Sequence, residues 1–503
     1  MKKPNCFSSR RALLIGLLAT ATAGVYAQDT VSEQATTPVT LTLDKALEIA
    51  LTENPTIIVA GQEIEKKQYA KKEVIANLLP QISASAGYTR TLKKQVMYMG
   101  GGDSGSSFTD MIMAPLTQLV QPLYEHAGIP MPDLTGGNTQ TSSEPSGMEV
   151  GLDNNWNAGF SLALPVFAPT LYKTIQMSTT DIELAVEQAR SSKQNLVNQV
   201  SKAYYQLLLA QDSYEVIQQS YKQAEDNYRI VNNRFEQGLV SEYDKIRAEV
   251  QLRNLNPSLL QARNAVTLAK LQLKVLMGMD AGREIVIAGK LSDYEGSLYG
   301  DFIKSDTTQL ANNSTLRQLD LQTKMLEQTY AMNKRAFLPT VSLSAIFQYT
   351  AMNNDFKISK YRWNPYSTVG VTVSIPLFTG GSRVQTMKQT KLQLSQLNLN
   401  AINTRRQLNM QLQSYMNNMQ QSIEQLASNK ENVNQAMKGR TIAQKRYDIG
   451  NGTILELNDS ELALTQARLT YTQAIYDYLV AKTDMDQVLG IDLLSKTNDN
   501  ENK

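Results

Sequence analysis

The chain has 503 residues, with 49 Lys and Arg against 47 Asp and Glu, one His and one Cys, and only 10 Phe and 2 Trp. A net charge this small gives no electrostatic footprint for nucleic acid, and one His with one Cys leaves no cysteine metal site and no convergent nucleophile, acid and base for an enzyme. Abundant Gln, Asn, Leu and Ala is the usage of long helices with narrow apolar seams.

Residues 1–27 read as a secretory signal: Lys2, Lys3, Arg10 and Arg11 precede the apolar run ALLIGLLATATAGV, and Val25-Tyr26-Ala27 supplies small residues for cleavage after Ala27. The Arg10-Arg11 pair also admits a twin-arginine signal, although a basic leader is the commoner cause. Cleavage takes the net charge from +2 to about −2 and removes Cys6, which precedes the apolar run and is not placed for lipidation. No later stretch supplies the roughly 18 consecutive apolar residues of a membrane helix, so a membrane could be crossed only with strands.

The rest of the chain states one plan twice. LLPQISASA (78–86) returns as FLPTVSLSA (337–345), AGFSLALPVF (158–167) as VGVTVSIPLF (369–378), and RFEQGLVSEYDKIRAE (234–249) as RYDIGNGTILELNDSE (446–461). Each half reads helix, strand, loop, strand, long helix, turn, helix. The expected divisions are a first repeat over 28–309, a second over 310–490 and a tail over 491–503. The first repeat carries an insertion over 91–153, rich in Gly, Ser, Pro and Met, and a Gly-punctuated mixed segment over 279–309.

Four segments alternate with period two. Ile82, Ala84, Ala86 and Tyr88 oppose Gln81, Ser83, Ser85 and Thr89, and Val369, Val371, Val373 and Ile375 oppose Thr368, Gly370, Thr372 and Ser374. A half-buried sheet packed on helices satisfies this pattern. So does a barrel wall with lipid on one side and water on the other, since the polar set is small and uncharged. Four strands cannot close a barrel, and an open edge in lipid leaves backbone groups unpaired. Such a chain must pool strands with copies of itself, and three copies give twelve. Pro165 and Pro376 are expected to end the strand pairing. Trp156, Trp363, Tyr349 and Tyr366 flank the outer strand ends and suit an interfacial aromatic belt.

Between the strands lie long helices. Over 171–236, Leu196, Val200, Ala203, Leu207 and Ala210 continue a 3,4 alternation broken only at Lys193, and over 381–447 Leu412, Met419 and Leu426 keep a seven-residue period. Shorter helices are expected over 44–79, 241–277, 310–337 and 453–489, with Pro257 bending or breaking the second of these.

The signal segment, the duplicated order, strands ending in LPVF and IPLF, and the tips RFEQGLVSEYD (234–244) and RYDIGNGTILEL (446–457) together resemble the TolC family of outer-membrane efflux proteins. The resemblance covers nearly all of the mature chain. It implies a mainly α fold with a β-barrel contribution: a homotrimer whose long coiled-coil helices form an α-barrel and whose protomers each give four strands to a twelve-stranded transmembrane β-barrel. The implied role is the exit duct of a tripartite efflux or type I secretion system. Its partners are outer-membrane lipid, a periplasmic adaptor (membrane fusion) protein and an inner-membrane pump, with no cofactor and no nucleic acid.

Carried over by the tip glycine, the family's constriction carboxylates correspond to Glu456 and Asp459, three apart on one helix face, and its gate links to Tyr447 and Asp244. Gly452 stands where the family's link arginine would be. The two acids also fit plain helix-start carboxylates favoured by the helix dipole. Gly238, Leu239, Val240 and Ser241, with Gly450, Asn451, Gly452 and Thr453, turn the chain and offer Ser or Thr as an N-cap; the resemblance adds contact with the adaptor. His126 with Met97, Met99, Met111 and Met113 admits a copper or silver duct, although scattered loop methionines more often only pack. The rival from another class is a periplasmic coiled-coil scaffold whose strands never meet lipid.

Overall fold

The computed structural model describes residues 39–97, 148–296, 298 and 310–491. The signal segment, Met99, Met111, Met113 and His126 lie outside them. The strands are β1 (Val39–Leu41), β2 (Gln81–Arg90), β3 (Gln95–Met97), β4 (Met148–Val150), β5 (Asn154–Phe167), β6 (Ile285–Ile287), β7 (Thr340–Asn353) and β8 (Asn364–Ser374). The helices are α1 (Leu43–Glu53), α2 (Pro55–Ala76), α3 (Pro169–Glu236), α4 (Glu242–Met277), α5 (Ser314–Arg335), α6 (Ser382–Asp448) and α7 (Ile454–Leu489). At 1.5 Å per residue α3 and α6 are each about 100 Å long. None of the described helices is long and apolar enough to cross a membrane.

Contacts divide the chain into one unit of residues 55–195, 305–417 and 484–503 and another of 1–54, 196–304 and 418–483. The first unit holds a four-stranded antiparallel sheet in the order β2-β5-β7-β8. Its register aligns the alternation across all four strands: Ile82 faces Leu162, Leu162 faces Ala345, and Ala345 faces Val369. One face is thereby apolar along most of its length, broken at Ser367 and, at the end of the sheet, at Arg90, Asn154 and Asn353, and it is open in the protomer, with Ile82 70% and Val369 76% exposed. On the other face small polar groups meet, as where Ser83 Oγ lies 2.7 Å from Ser161 Oγ. The outer strands β2 and β8 each pair on one side only.

Pro376 follows the end of β8, as its missing N–H requires. Pro165 does not stop β5. Pairing with β7 continues to Phe167 through a register shift between Pro165 and Phe167, the bulge absorbing the lost donor.

In the same unit, Asn313 joins two helix ends. Its backbone is extended (φ −63°, ψ 122°), its side chain accepts from Leu316 N, and its amide donates to Val488 O at 2.8 Å in the last turn of α7. The expected helix over 310–337 is accordingly a 3-10 turn at Leu310–Asn312 followed by α5.

The second unit packs α1 and the parallel pair β1 and β6 onto α3, α4 and α7. Leu41, Leu207, Leu208, Leu273, Met277 and Leu291 are wholly buried. Tyr204 donates to Ala288 O at 3.1 Å, which lets a phenol sit in this core without an orphaned hydroxyl. Sequence patterning gives no sign of β1, three residues whose partner lies some 246 positions on. The expected helix over 44–79 is two helices, because Asn54, before Pro55, is extended (φ −68°, ψ 124°). Pro257, by contrast, leaves α4 continuous. It is exposed, as is Arg253, whose carbonyl loses its helical donor to the proline.

Candidate functional site: the paired helical tips

Each long helix ends in a glycine with positive φ, 71° at Gly238 and 79° at Gly450. In both, two backbone bonds close the end. Gly238 N donates to Phe235 O and Leu239 N to Arg234 O, each at 2.8 Å; Gly450 N donates to Tyr447 O at 3.1 Å and Asn451 N to Arg446 O at 2.9 Å. This is the Schellman closure, and only glycine takes its left-handed residue without strain.

The next helices start on hydroxyl caps. Ser241 Oγ accepts from Asp244 N at 3.2 Å while Asp244 Oδ2 accepts from Ser241 N, a full capping box. Thr453 Oγ1 accepts from Glu456 N at 3.2 Å. Gly452 has a packing reason of its own: a Cβ there would stand 3.0 Å from Arg446 Cβ and from Tyr447 N.

The two tips share one apolar cluster. Val231 of α3, Ala248 of α4, Tyr447 of α6, and Ile454 and Leu457 of α7 are buried together, with Tyr228, Val240 and Ala443 packed against them. Four helix ends are thereby held side by side. Leu239 and Ile449 instead project from the turns, 69% and 71% exposed. Of the tip residues expected from sequence, Val240 faces inward and Leu239 outward. Ile449 was missed because the residue before a tip glycine carries no signal of its own.

Tyr447 is only 8% exposed, and its hydroxyl makes no well-formed hydrogen bond among the described residues, Arg234 standing beside it as a donor only. The Arg234 guanidinium lies 5.3 Å from its ring centroid. Burial raises the Tyr447 pKa, the nearby Arg234 opposing and Asp244 reinforcing that rise. The carboxylate of Asp244 is occupied by Ser241, whose hydroxyl donates to it at 2.7 Å. The two expected gate partners thus lie in one tip region without a hydrogen bond between them. Glu456 and Asp459 are both exposed, and Glu456 faces Arg446 Nη1 at 3.4 Å. Among the described residues no group of three or more His, Cys, Asp or Glu could hold a metal ion.

The family model for outer membrane efflux proteins matches residues 127–279 and 307–491, about two thirds of the chain. The chain belongs to the outer membrane efflux protein family. The TolC outer membrane protein of Vibrio cholerae is 23% identical over 373 residues, covering 72% of this chain and 82% of the relative. The alkaline protease secretion protein AprF of Pseudomonas aeruginosa is 22% identical over 347 residues, covering 68% and 71%. Among solved structures, the CmeC outer membrane channel of Campylobacter jejuni superposes with a TM-score of 0.64 at 17% identity, covering 94% of both chains.

As a member of the outer membrane efflux family, the chain is an outer-membrane channel protein with a periplasmic helical extension, and not an enzyme. Its fold is the family's, mainly α with a strand domain.

Proposed function

We propose that three copies of this chain form the exit duct of a tripartite efflux or type I secretion system, handed its cargo by an inner-membrane pump through a periplasmic adaptor. The observation that carries this is the β2-β5-β7-β8 sheet, with an apolar face open along every strand and an unpaired edge at each side. In lipid such edges must be closed, and joining β8 of one copy to β2 of the next in a ring of three gives twelve strands, within the range of closed barrels. Val369, Val371, Val373 and Ile375 then face lipid, and Thr372 and Ser374 the bore. Kinship with a protein named for protease secretion supports the secretion alternative.

Two structural repeats, 28–309 and 310–490, supply two wall strands and one tip-forming helical hairpin each. The tips Gly238–Ser241 and Gly450–Thr453 present Leu239 and Ile449 to the adaptor. Glu456 and Asp459 line the periplasmic constriction, where a ring of carboxylates favours cations. Tyr447 and Asp244 belong to the links that hold it closed, with Arg234 supplying the cation that Gly452 does not.

The deciding experiment takes the purified full chain through mass determination in detergent and single-channel recording in a planar bilayer. Trimers that conduct are expected. Monomers without conductance would return the chain to the scaffold class.

A further inference from the structure

The apolar face of the sheet ends in a particular order. Arg90 pairs with Asn154 and Asn154 with Asn353, so the β7–β8 turn over 354–363 begins at the same end of the sheet as the close of β2. There Tyr88 stacks on Trp156 with ring centroids 4.5 Å apart, and Phe356 of the turn packs against them at 5.9 and 6.5 Å. Lys94 Nζ meets Asp153 at 3.1 Å and Asn354 Oδ1 at 3.4 Å, which draws the segment after β2 against the turn. Buried Tyr361 fixes the turn by donating to Asp355 O at 2.7 Å.

At this end of the sheet, after the close of β2 and in the β7–β8 turn, the chain places Arg90, Lys93, Lys357, Lys360 and Arg362, all exposed and none in an ion pair among the described residues. Described acids at this end are Glu149, Asp355 and Asp153, the last already paired with Lys94. By strand parity Arg90 shares the face of Ile82, Ala84, Ala86 and Tyr88. It stands on the apolar side of the sheet.

Apolar strand, aromatic band, then free cations is the order in which a lipid leaflet presents acyl chain, interface and headgroup phosphate. We propose that this rim binds the phosphate groups of an anionic glycolipid in the leaflet around the channel mouth, Arg90 from the wall and Lys357, Lys360 and Arg362 from the turn. The proposal rests on the sheet being the lipid-facing wall, as argued above. A free phosphate ion would use the cations but not the aromatic band beside them. The segment 98–147 carries five acids and no Lys or Arg, yet Arg90 lies on the face turned to lipid.

The test is native mass spectrometry of the full-length trimer in detergent, with a diphosphorylated acyl-glucosamine disaccharide and its dephosphorylated counterpart as probes. The unmodified protein should retain the phosphorylated probe at least about tenfold better. Replacement by Gln at Arg90, Lys357, Lys360 and Arg362 together should abolish that preference with trimer and conductance intact, whereas R90K with R362K should keep it. Equal retention of both probes overturns the proposal. So does displacement by millimolar inorganic phosphate, or an undiminished preference in the Gln variant, which would leave these cations to the acidic 98–147 segment. A chain that neither trimerises nor conducts overturns the duct itself, an outcome distinct from a conducting trimer without lipid preference.

Discussion

Arg446 reaches across the second tip to Glu456, its Nη1 3.4 Å from Oε2, while Asp459 on the same face of α7 has no ion pair among the described residues. Both partners of the pair are about half exposed, so it contributes little to stability. Its effect is on the field in the proposed constriction. E456A with D459A should lower the cation-to-anion permeability ratio, and R446Q, which uncovers the carboxylate, should raise it by roughly two- to threefold. Reversal potentials in a salt gradient read both; no change in either variant removes these residues from the narrowest point.

Tyr447 has a buried hydroxyl that finds no acceptor among the described residues, since Arg234 beside it can only donate, and such a group costs free energy unless something accepts its proton. Y447F should therefore leave the thermal unfolding of the isolated protomer unchanged or slightly raised. In the trimer it should raise single-channel conductance severalfold by removing a link of the closed state. Conductance equal to that of the unmodified channel would make Tyr447 a packing residue only.

Periodicity was enough to place the long helices and the four wall strands, because both depend on local rules that repeat: Leu412, Met419 and Leu426 are buried at seven-residue spacing, and Ile82 and Val369 share a face by parity. The tips were legible for a similar reason, since Gly238 and Gly450 with their hydroxyl caps are local chemistry. What sequence could not give depends on distant backbone. β1 exists only because β6 is beside it, α1 and α2 separate at Asn54, which also donates to Leu276 O at 2.7 Å, and Pro165 is carried by a bulge against Val341 and Ser342. At the site, the stacking of Arg234 on Tyr447 joins two tips more than 200 residues apart, and no motif within either tip announces it.

Gly490 separates two roles of glycine. Its φ is 70°, and a Cβ would lie 2.2 Å from Asn312 O, a backbone atom that cannot step aside. G490A should cost on the order of 3 kcal/mol or more and reduce trimer yield. Gly439, inside α6 with nothing near its missing Cβ, is the control, and G439A should stabilise by about 0.5–1 kcal/mol. Thermal unfolding followed by circular dichroism reads both. Equal effects would mean that the junction beside Asn313 yields.

Glu295 links the segment after β6 to two helices, accepting from Lys430 Nζ and Tyr471 Oη, each at 2.7 Å. Those two bonds hold its carboxyl below the usual value of 4.5, Lys430 contributing most. A carboxylate depressed on folding contributes stability that is present above the unfolded-state value and is lost as pH falls through the folded one. E295Q should therefore melt at a lower temperature than the unmodified protein near neutral pH, and the gap should narrow as the pH falls below the usual carboxylate value and through the depressed folded-state one. Asp212 has the opposite sign, its pKa raised by burial, but it is common to both proteins and cancels in the difference. K430M should reproduce the pH dependence of E295Q, since it removes the charge that depresses the carboxyl. A melting gap that stays constant with pH would show Glu295 acting through packing and hydrogen-bond geometry rather than through its charge.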